Sequence, residues 1–333
     1  MNKSSLLFFF LSIQLSFSCT KLEFTQSVEI PKWEPNRSII LTSGDTITVY
    51  DPYYNSGKIL LKGQIHCHTT NSDGKLTPEE LADLYYENGY DFWTITDHNF
   101  ISNEPRNNKM VWISDSYEHT DRFHACIYNP RKTFPADGTH INAIYRLAKL
   151  NNINTILNYA HPDWNPNFEW YQYQTDEMIS QVEGVSFVEI FNGAYQTARP
   201  FDILLSQKKK VFGIGVEDFH LLKHLNRGFI KAYVKNKSVE SIWESLNNGS
   251  FFATNGLDVK IHMTDNGVIH IVSEESCDIS FIGKNGIIIK KDTNTSESSY
   301  RLTGDELYVR SEITNYKGEI CFTQPVFISI NKY

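Results

Sequence analysis

Apolar and polar positions between residues 58 and 256 switch repeatedly between two spacings. Apolar-rich runs at 58–65, 92–96, 123–127, 155–158, 186–191, 211–215 and 229–234 have the length and composition of strands. Helical spacing follows most of them, at 77–89, 140–150, 176–181, 200–206 and 239–247. The first helix carries its own punctuation. Thr77 caps it, Pro78 takes the first position, Glu80 completes a capping box, and Asn88-Gly89 ends it. In the second, Ile141, Ile144, Tyr145 and Ala148 share one face. No clear helix follows the second or the sixth strand. Seven strand-led units predict an α/β fold with a parallel, closed sheet over residues 59–256.

The pattern changes after Gly256. Short, partly alternating runs at 258–263, 268–273, 278–283, 286–290, 306–312 and 324–330 are separated by Asn-Gly, Lys-Asn-Gly and Ser/Thr-rich turns. They predict a small antiparallel, sandwich-like β domain over 257–333, with 292–299 as its most loop-like stretch. Residues 20–58 are polar and Pro-containing, with apolar runs at 38–41 and 46–50, and read as a tether with a docking strand. Residues 1–19 read as a targeting segment: Lys3, then an apolar stretch at 6–17 that is shorter than the ~20 residues of a membrane-spanning helix. Ser16-Phe17-Ser18-Cys19 resembles a bacterial lipoprotein cleavage box, with Cys19 as the lipidated residue. Simple signal-peptidase cleavage is the alternative. Both readings make the protein exported, periplasmic or at the cell surface, and the first anchors it to a membrane by lipid alone.

A length of 333 residues accommodates a barrel-sized domain and a smaller one. The net charge of −8 argues against nucleic acid as a stable partner, since phosphate contacts need clustered cations. Lys208-Lys209-Lys210 is the lone basic run and reads as a solvated helix C-terminus. Cys67 and Cys126 read as small buried hydrophobes, whereas Cys277 and Cys321 have the option of pairing.

Nine potential metal ligands are strung through the first region: His66, His68, Asp73, His98, Glu118, His124, His161, Asp218 and His220. All but Glu118 and His124 fall at or just past a predicted strand's C-terminal end, where barrel enzymes place their chemistry. His66 and His68 stand two apart on a strand and so leave on one face, as do Asp218 and His220. Imidazoles and carboxylates without thiolates suit Zn, Mn or Fe. So many ligands point to a multinuclear hydrolytic site rather than one structural ion.

These residues lie in His66-Cys-His68 with Asp73-Gly74, Thr96-Asp-His-Asn99, His161-Pro162 and Asp218-Phe-His220. In that order the motifs resemble the PHP (polymerase and histidinol phosphatase) family over residues 59–256. The resemblance implies a distorted (β/α)7 barrel and two or three divalent transition-metal ions (Zn, Mn or Fe). It implies His66, His68, Glu118 and Asp218 on one ion, Glu118, His124 and His161 on a second, and Asp73, His98 and His220 on a third. Asp97 is then a residue that orients a ligand histidine or shuttles a proton, and Glu189 and Asn192 support the ligands or contact substrate. Arg199 and Arg227 are candidate clamps for a small anionic substrate, and Trp164, Trp170 and Tyr171 candidate pocket walls. The implied activity is phosphomonoester or phosphodiester hydrolysis by a metal-bound hydroxide. Glu189-Ile-Phe-Asn-Gly193 and residues 246–256 look like the subgroup of carbaryl-hydrolase-like proteins, so carbamate, ester or amide hydrolysis is the alternative. A non-catalytic binding lipoprotein is a third reading.

Overall fold

Burial of the apolar runs produces two open sheets. The computed structural model describes residues 30, 32–165, 172–193 and 195–329; the leader, Cys19, Trp170 and Tyr171 lie outside them. In one sheet Ile59–Gln64, Phe92–Trp93 and Val111–Trp112 run parallel, while Phe229–Val234 lies antiparallel to Ile59–Gln64 and to Phe251–Thr254. In the other, Ser116–Thr120, His124–Tyr128 and Ile156–Tyr159 pair antiparallel in turn. Phe187–Asn192 and Phe212–Val216 then continue that sheet in parallel. Single-residue bridges, Cys67 to Phe219 and His98 to Glu118, join the sheets.

The expected closed parallel barrel is therefore corrected to a mixed, strand-rich α/β arrangement. The reason lies in the connections. Parallel neighbours need a crossover of a dozen or more residues, usually a helix. Three residues join Ser116–Thr120 to His124–Tyr128, and the segment before Phe229–Val234 holds only a 3-10 turn, Leu222–His224. Both connections send the chain back the way it came.

The helices follow the sequence pattern. Pro78–Glu87 begins with the reciprocal Thr77–Glu80 capping box, and buries Leu81, Ala82 and Tyr85. Ile141–Asn151 buries Ile141, Ile144, Tyr145 and Ala148. Asp176–Gln181, Arg199–Ser206 and Val239–Asn248 complete the set. Gly249, at φ 67°, ends the last of them in a left-handed conformation that favours glycine.

Beyond residue 256 the strands are Val259–Met263, Val268–Gly283, Ile287–Arg301, Tyr308–Asn315, Ile320–Thr323 and Val326–Ser329. Ile320–Thr323 pairs with Phe251–Thr254, which makes this region continuous with the first sheet. Thr46–Tyr50 pairs with Arg37–Ile40 and with Val326–Ser329, and Ile39, Ile47 and Val49 share a core with Ile271, Ile279, Phe281 and Ile313. The stretch 292–299 is not a loop but part of Ile287–Arg301, the outer strand of a long hairpin. Half of that stretch's side chains are exposed and only Ser298 is buried, so its polar composition reflects solvent rather than a turn. All four described cysteines are free, so Cys277 and Cys321 do not pair.

Candidate metal centre

His66 and His68 leave the end of Ile59–Gln64 on the same side, and both are fully buried. Their Nε2 atoms stand 3.1 Å apart. Asp218 Oδ1 lies 3.2 Å from His66 Nε2 and 3.1 Å from His68 Nε2. Glu118, from the middle of Ser116–Thr120, brings Oε1 to 3.5 Å from His66 Nε2 and Oε2 to 3.4 Å from His68 Nε2. Two ligands ~2.1 Å from one ion at the tetrahedral angle are ~3.4 Å apart, so the donor atoms of His66, His68 and Asp218 have the spacing of a single coordination sphere, and Glu118 meets each of the two imidazoles with a different oxygen.

Glu118 also reaches outward. Its Oε1 is 3.0 Å from His124 Nδ1 and 3.1 Å from His161 Nε2, and its Oε2 is 2.8 Å from His98 Nδ1. One buried carboxylate thus faces five imidazoles. A third group forms where Asp73 Oδ1 meets His220 Nε2 at 3.2 Å and His98 Nε2 at 3.6 Å, with His68 beside it. The structure gathers all nine residues, with two departures from the expected grouping. His68 stands with Asp73, His98 and His220 as well, and His161 stands with His66 and Glu118.

Supporting contacts fix the rings. Glu189 Oε1 takes the proton of His66 Nδ1 at 2.6 Å, which turns the His66 Nε2 lone pair towards Asp218 and Glu118. Asn158 Nδ2 donates to the same oxygen, and the His161 backbone N–H and Asn192 Nδ2 donate to Glu189 Oε2. Asn192 Nδ2 also lies 3.4 Å from Asp218 Oδ2. His220 Nδ1 donates to the Asp218 carbonyl at 2.7 Å, leaving Nε2 for Asp73. Asp97 is buried and accepts from Thr69 N, Thr69 Oγ1, Ser72 Oγ and Ser102 Oγ. It reaches a ligand, His68 Nδ1, only through Ser72 Oγ at 3.5 Å. Four short bonds place Asp97 as the anchor of the 69–72 loop.

Of the expected anion clamps, Arg199 is engaged by Asp163 and Asp176 and by the Gln174 carbonyl, so it ties down the chain after His161. Arg227 is exposed and donates to the Gly193 carbonyl at 3.3 Å. Trp164 lies beside His124 and His161, with ring centroids 5.6 and 5.2 Å away. Sequence reasoning missed Glu217, which is buried and accepts from Tyr85, Tyr90 and the Asn226 backbone, pinning both ends of the loop that carries Asp218 and His220. Burial pushes its carboxyl up to about 7. It also missed His224, whose Nδ1 accepts from the His220 N–H at 3.1 Å. The tyrosine partners of Glu217 are distant in sequence and leave no local signal, whereas His224 meets its own neighbour His220.

Burial alone would depress each imidazole, and it takes His68 down to about 4. At His98 burial is outweighed by Glu118 and Asp73, which lift it to about 10. His66 stands well above the usual histidine range because Cys126, Glu189, Asp218 and Glu118 outweigh its burial. Burial would raise the Glu118 carboxyl, yet His124, His66 and His98 hold it well below the usual carboxylate range.

Two further observations fit a cation. Glu118 Oε2 and Asp218 Oδ1 are buried and have only imidazole nitrogens as near neighbours, His98 Nδ1 at 2.8 Å and His68 Nε2 at 3.1 Å, neither in the alignment of a hydrogen bond, a setting that a shared cation satisfies. His161 and Asp218 adopt positive φ, 25° and 49°, as does Asn99 beside His98, at 50°. Such strain in non-glycine residues collects where side chains must be aimed.

No protein-family model matches the chain, and no curated protein does. Among solved structures, a two-domain protein from Bacteroides vulgatus ATCC 8482, described as containing a predicted PHP-like metal-dependent phosphoesterase, is similar at 13% identity and a TM-score of 0.47. That similarity covers 92% of this chain and 91% of the other. A protein from Bifidobacterium adolescentis ATCC 15703, whose description proposes a metal-dependent phosphoesterase, is similar at 14% identity and a TM-score of 0.37, over 56% of this chain and 96% of its own.

Proposed function

We propose that the protein is a metal-dependent hydrolase whose substrates are phosphate esters. The observation that carries this reading is Glu118, a buried carboxylate shared among five imidazoles with Asp218 alongside. His66, His68, Glu118 and Asp218 would hold one divalent ion, Glu118, His124 and His161 a second, and Asp73, His98 and His220 a third. When bound, divalent ions supply a water of lowered pKa and neutralise charge developing on substrate oxygens. The chain's own part is positional. Glu189 selects the His66 tautomer, Asn192 steadies Asp218, Asp97 anchors the 69–72 loop, and Trp164 flanks His124 and His161. Arg227 is the remaining clamp for an anionic substrate, since the Arg199 guanidinium already serves Asp163 and Asp176.

The experiment is a substrate panel on metal-replete protein: phosphate monoesters, phosphodiesters, aryl esters and aryl carbamates. Turnover of phosphate esters, weakened ~10–100-fold in kcat/KM by Arg227→Met with metal content unchanged, is expected. Fast carbamate turnover with silent phosphates would replace this reading by the carboxyl-ester and carbamate one. We also read the protein as exported and lipid-anchored at Cys19. Labelled fatty acid should attach to the wild type and not to Cys19→Ser; no label on the wild type would leave an unlipidated protein.

A further inference from the structure

The strands that lead to the metal centre have a second end. Ile156, Ser186 and Phe212, at or just before the starts of strands whose far ends lead to His161, Asn192 and Asp218, line a cleft of about 470 Å³. Strands of this length span ~13–20 Å, so the cleft and the ligands lie on opposite ends of the sheet. Its volume is that of a small-molecule site.

Two cations point to what it takes. Lys149 and Lys210 both line the cleft and are half-buried. Lys149 Nζ donates to the Ile153 carbonyl at 3.0 Å, which leaves two of its three protons. Lys210 makes no hydrogen bond or ion pair among the described residues and has the Tyr50 ring 5.1 Å away. Burial depresses both ammonium groups, with only Glu34 acting in the other direction on Lys210. Neighbouring Lys209 shows the contrast. Its Nζ is taken by the Ser180 and Val182 carbonyls, at and just past the end of Asp176–Gln181. Of the basic run only Lys208 is a solvated end of its own helix: Lys209 caps another helix, and Lys210 lines the cleft. The walls are mixed, with Ile153, Ile156, Phe212 and Trp243 supplying the apolar part. Trp243 is half-buried and has its indole N–H occupied by the Ile113 carbonyl at 2.9 Å, so it meets the cleft with ring surface, whereas Phe212 is buried and only closes the cleft floor. Among the described residues neither lysine forms an ion pair, and burial disfavours both charges, so in a chain of net charge −8 a bound anion would stabilise them.

We propose that this cleft is a second ligand site, for a small organic anion whose charged head sits between Lys149 and Lys210 and whose apolar body lies on Trp243. The probe is 1-naphthalenesulfonate, titrated calorimetrically into the full, metal-replete protein, with 1-naphthalenemethanol as its uncharged counterpart. Saturable binding of the sulfonate is expected, with the alcohol at least ~10-fold weaker. Lys149→Met and Lys210→Met should each weaken the sulfonate ~10-fold or more, and Asn154→Asp, which adds a negative charge at an exposed lining position, should weaken it too. Asp218→Ala should leave affinity unchanged. Absence of saturable binding, equal binding of sulfonate and alcohol, or indifference to the lysine and Asn154 variants overturns the proposal. So does loss of binding in Asp218→Ala, which would place the anion at the metal centre.

Discussion

Glu118 and Glu189 show how differently two buried carboxylates can work on either side of one imidazole, that of His66. Glu118 faces ligand nitrogens, whereas Glu189 holds His66 from behind through Nδ1. Removing a partner of that second kind costs ~10–100-fold in metal affinity. Glu189→Gln should therefore weaken metal retention by that factor in a chelator competition while the protein stays folded; unchanged affinity would separate Glu189 from the ions. Protonation gives a second test. In chelator-stripped protein His98 is raised to about 10, because Glu118 and Asp73 outweigh its burial. The stability this contributes is fully present below ~6.5, the unfolded value, and is lost as pH rises through about 10. The melting temperature of metal-free protein should fall between those limits. Metal-loaded protein should lack that component, since a coordinated imidazole is already neutral. Identical pH profiles with and without metal would contradict it. The nine candidate ligands were legible because they occur in short motifs at strand ends. Glu217 was not, because Tyr85, Tyr90 and Asn226 meet it only in the folded chain.

Helices were legible where the sequence carries both face and punctuation. Thr77 and Glu80 satisfy each other's backbone donors, and Thr77→Ala should cost ~1 kcal/mol in urea unfolding with metal content unaltered. Strand existence was legible too, but strand direction was not, because the apolar run of a parallel strand and that of a buried antiparallel one look alike. The hairpin 116–128 and the return at 217–228 depend on connection length, which periodicity does not encode. Contacts between helix and β region were equally silent. Arg310 is 2% exposed and donates to both oxygens of Asp202 on Arg199–Ser206, at 2.8 and 2.6 Å, with Tyr308 OH donating as well. Arg310→Met should destabilise by ~3–5 kcal/mol, because Asp202 is left buried without its cation. A loss under ~1 kcal/mol in the same urea titration would show that the pair adds little.

At the scale of the molecule, the second and the last described strands lie together. Thr46–Tyr50 pairs with Val326–Ser329, and Phe251–Thr254 pairs with Ile320–Thr323, so the two regions read from the sequence share sheet and core. The change of pattern after Gly256 marks where helices stop, and says nothing of which strands then join. The candidate metal centre occupies one end of the strand array, with its candidate ligands contributed by chain segments from residue 66 to residue 220. That gathering is the central claim, and metal stoichiometry tests it most directly. Elemental analysis of protein prepared without chelator should find more than one transition-metal ion per chain, with the content reduced in His66→Ala and in Asp218→Ala and hydrolysis lost with it. A wild-type chain that carries no transition metal when supplied with Zn, Mn and Fe, or a His66→Ala variant with full metal content and full activity, would contradict the account.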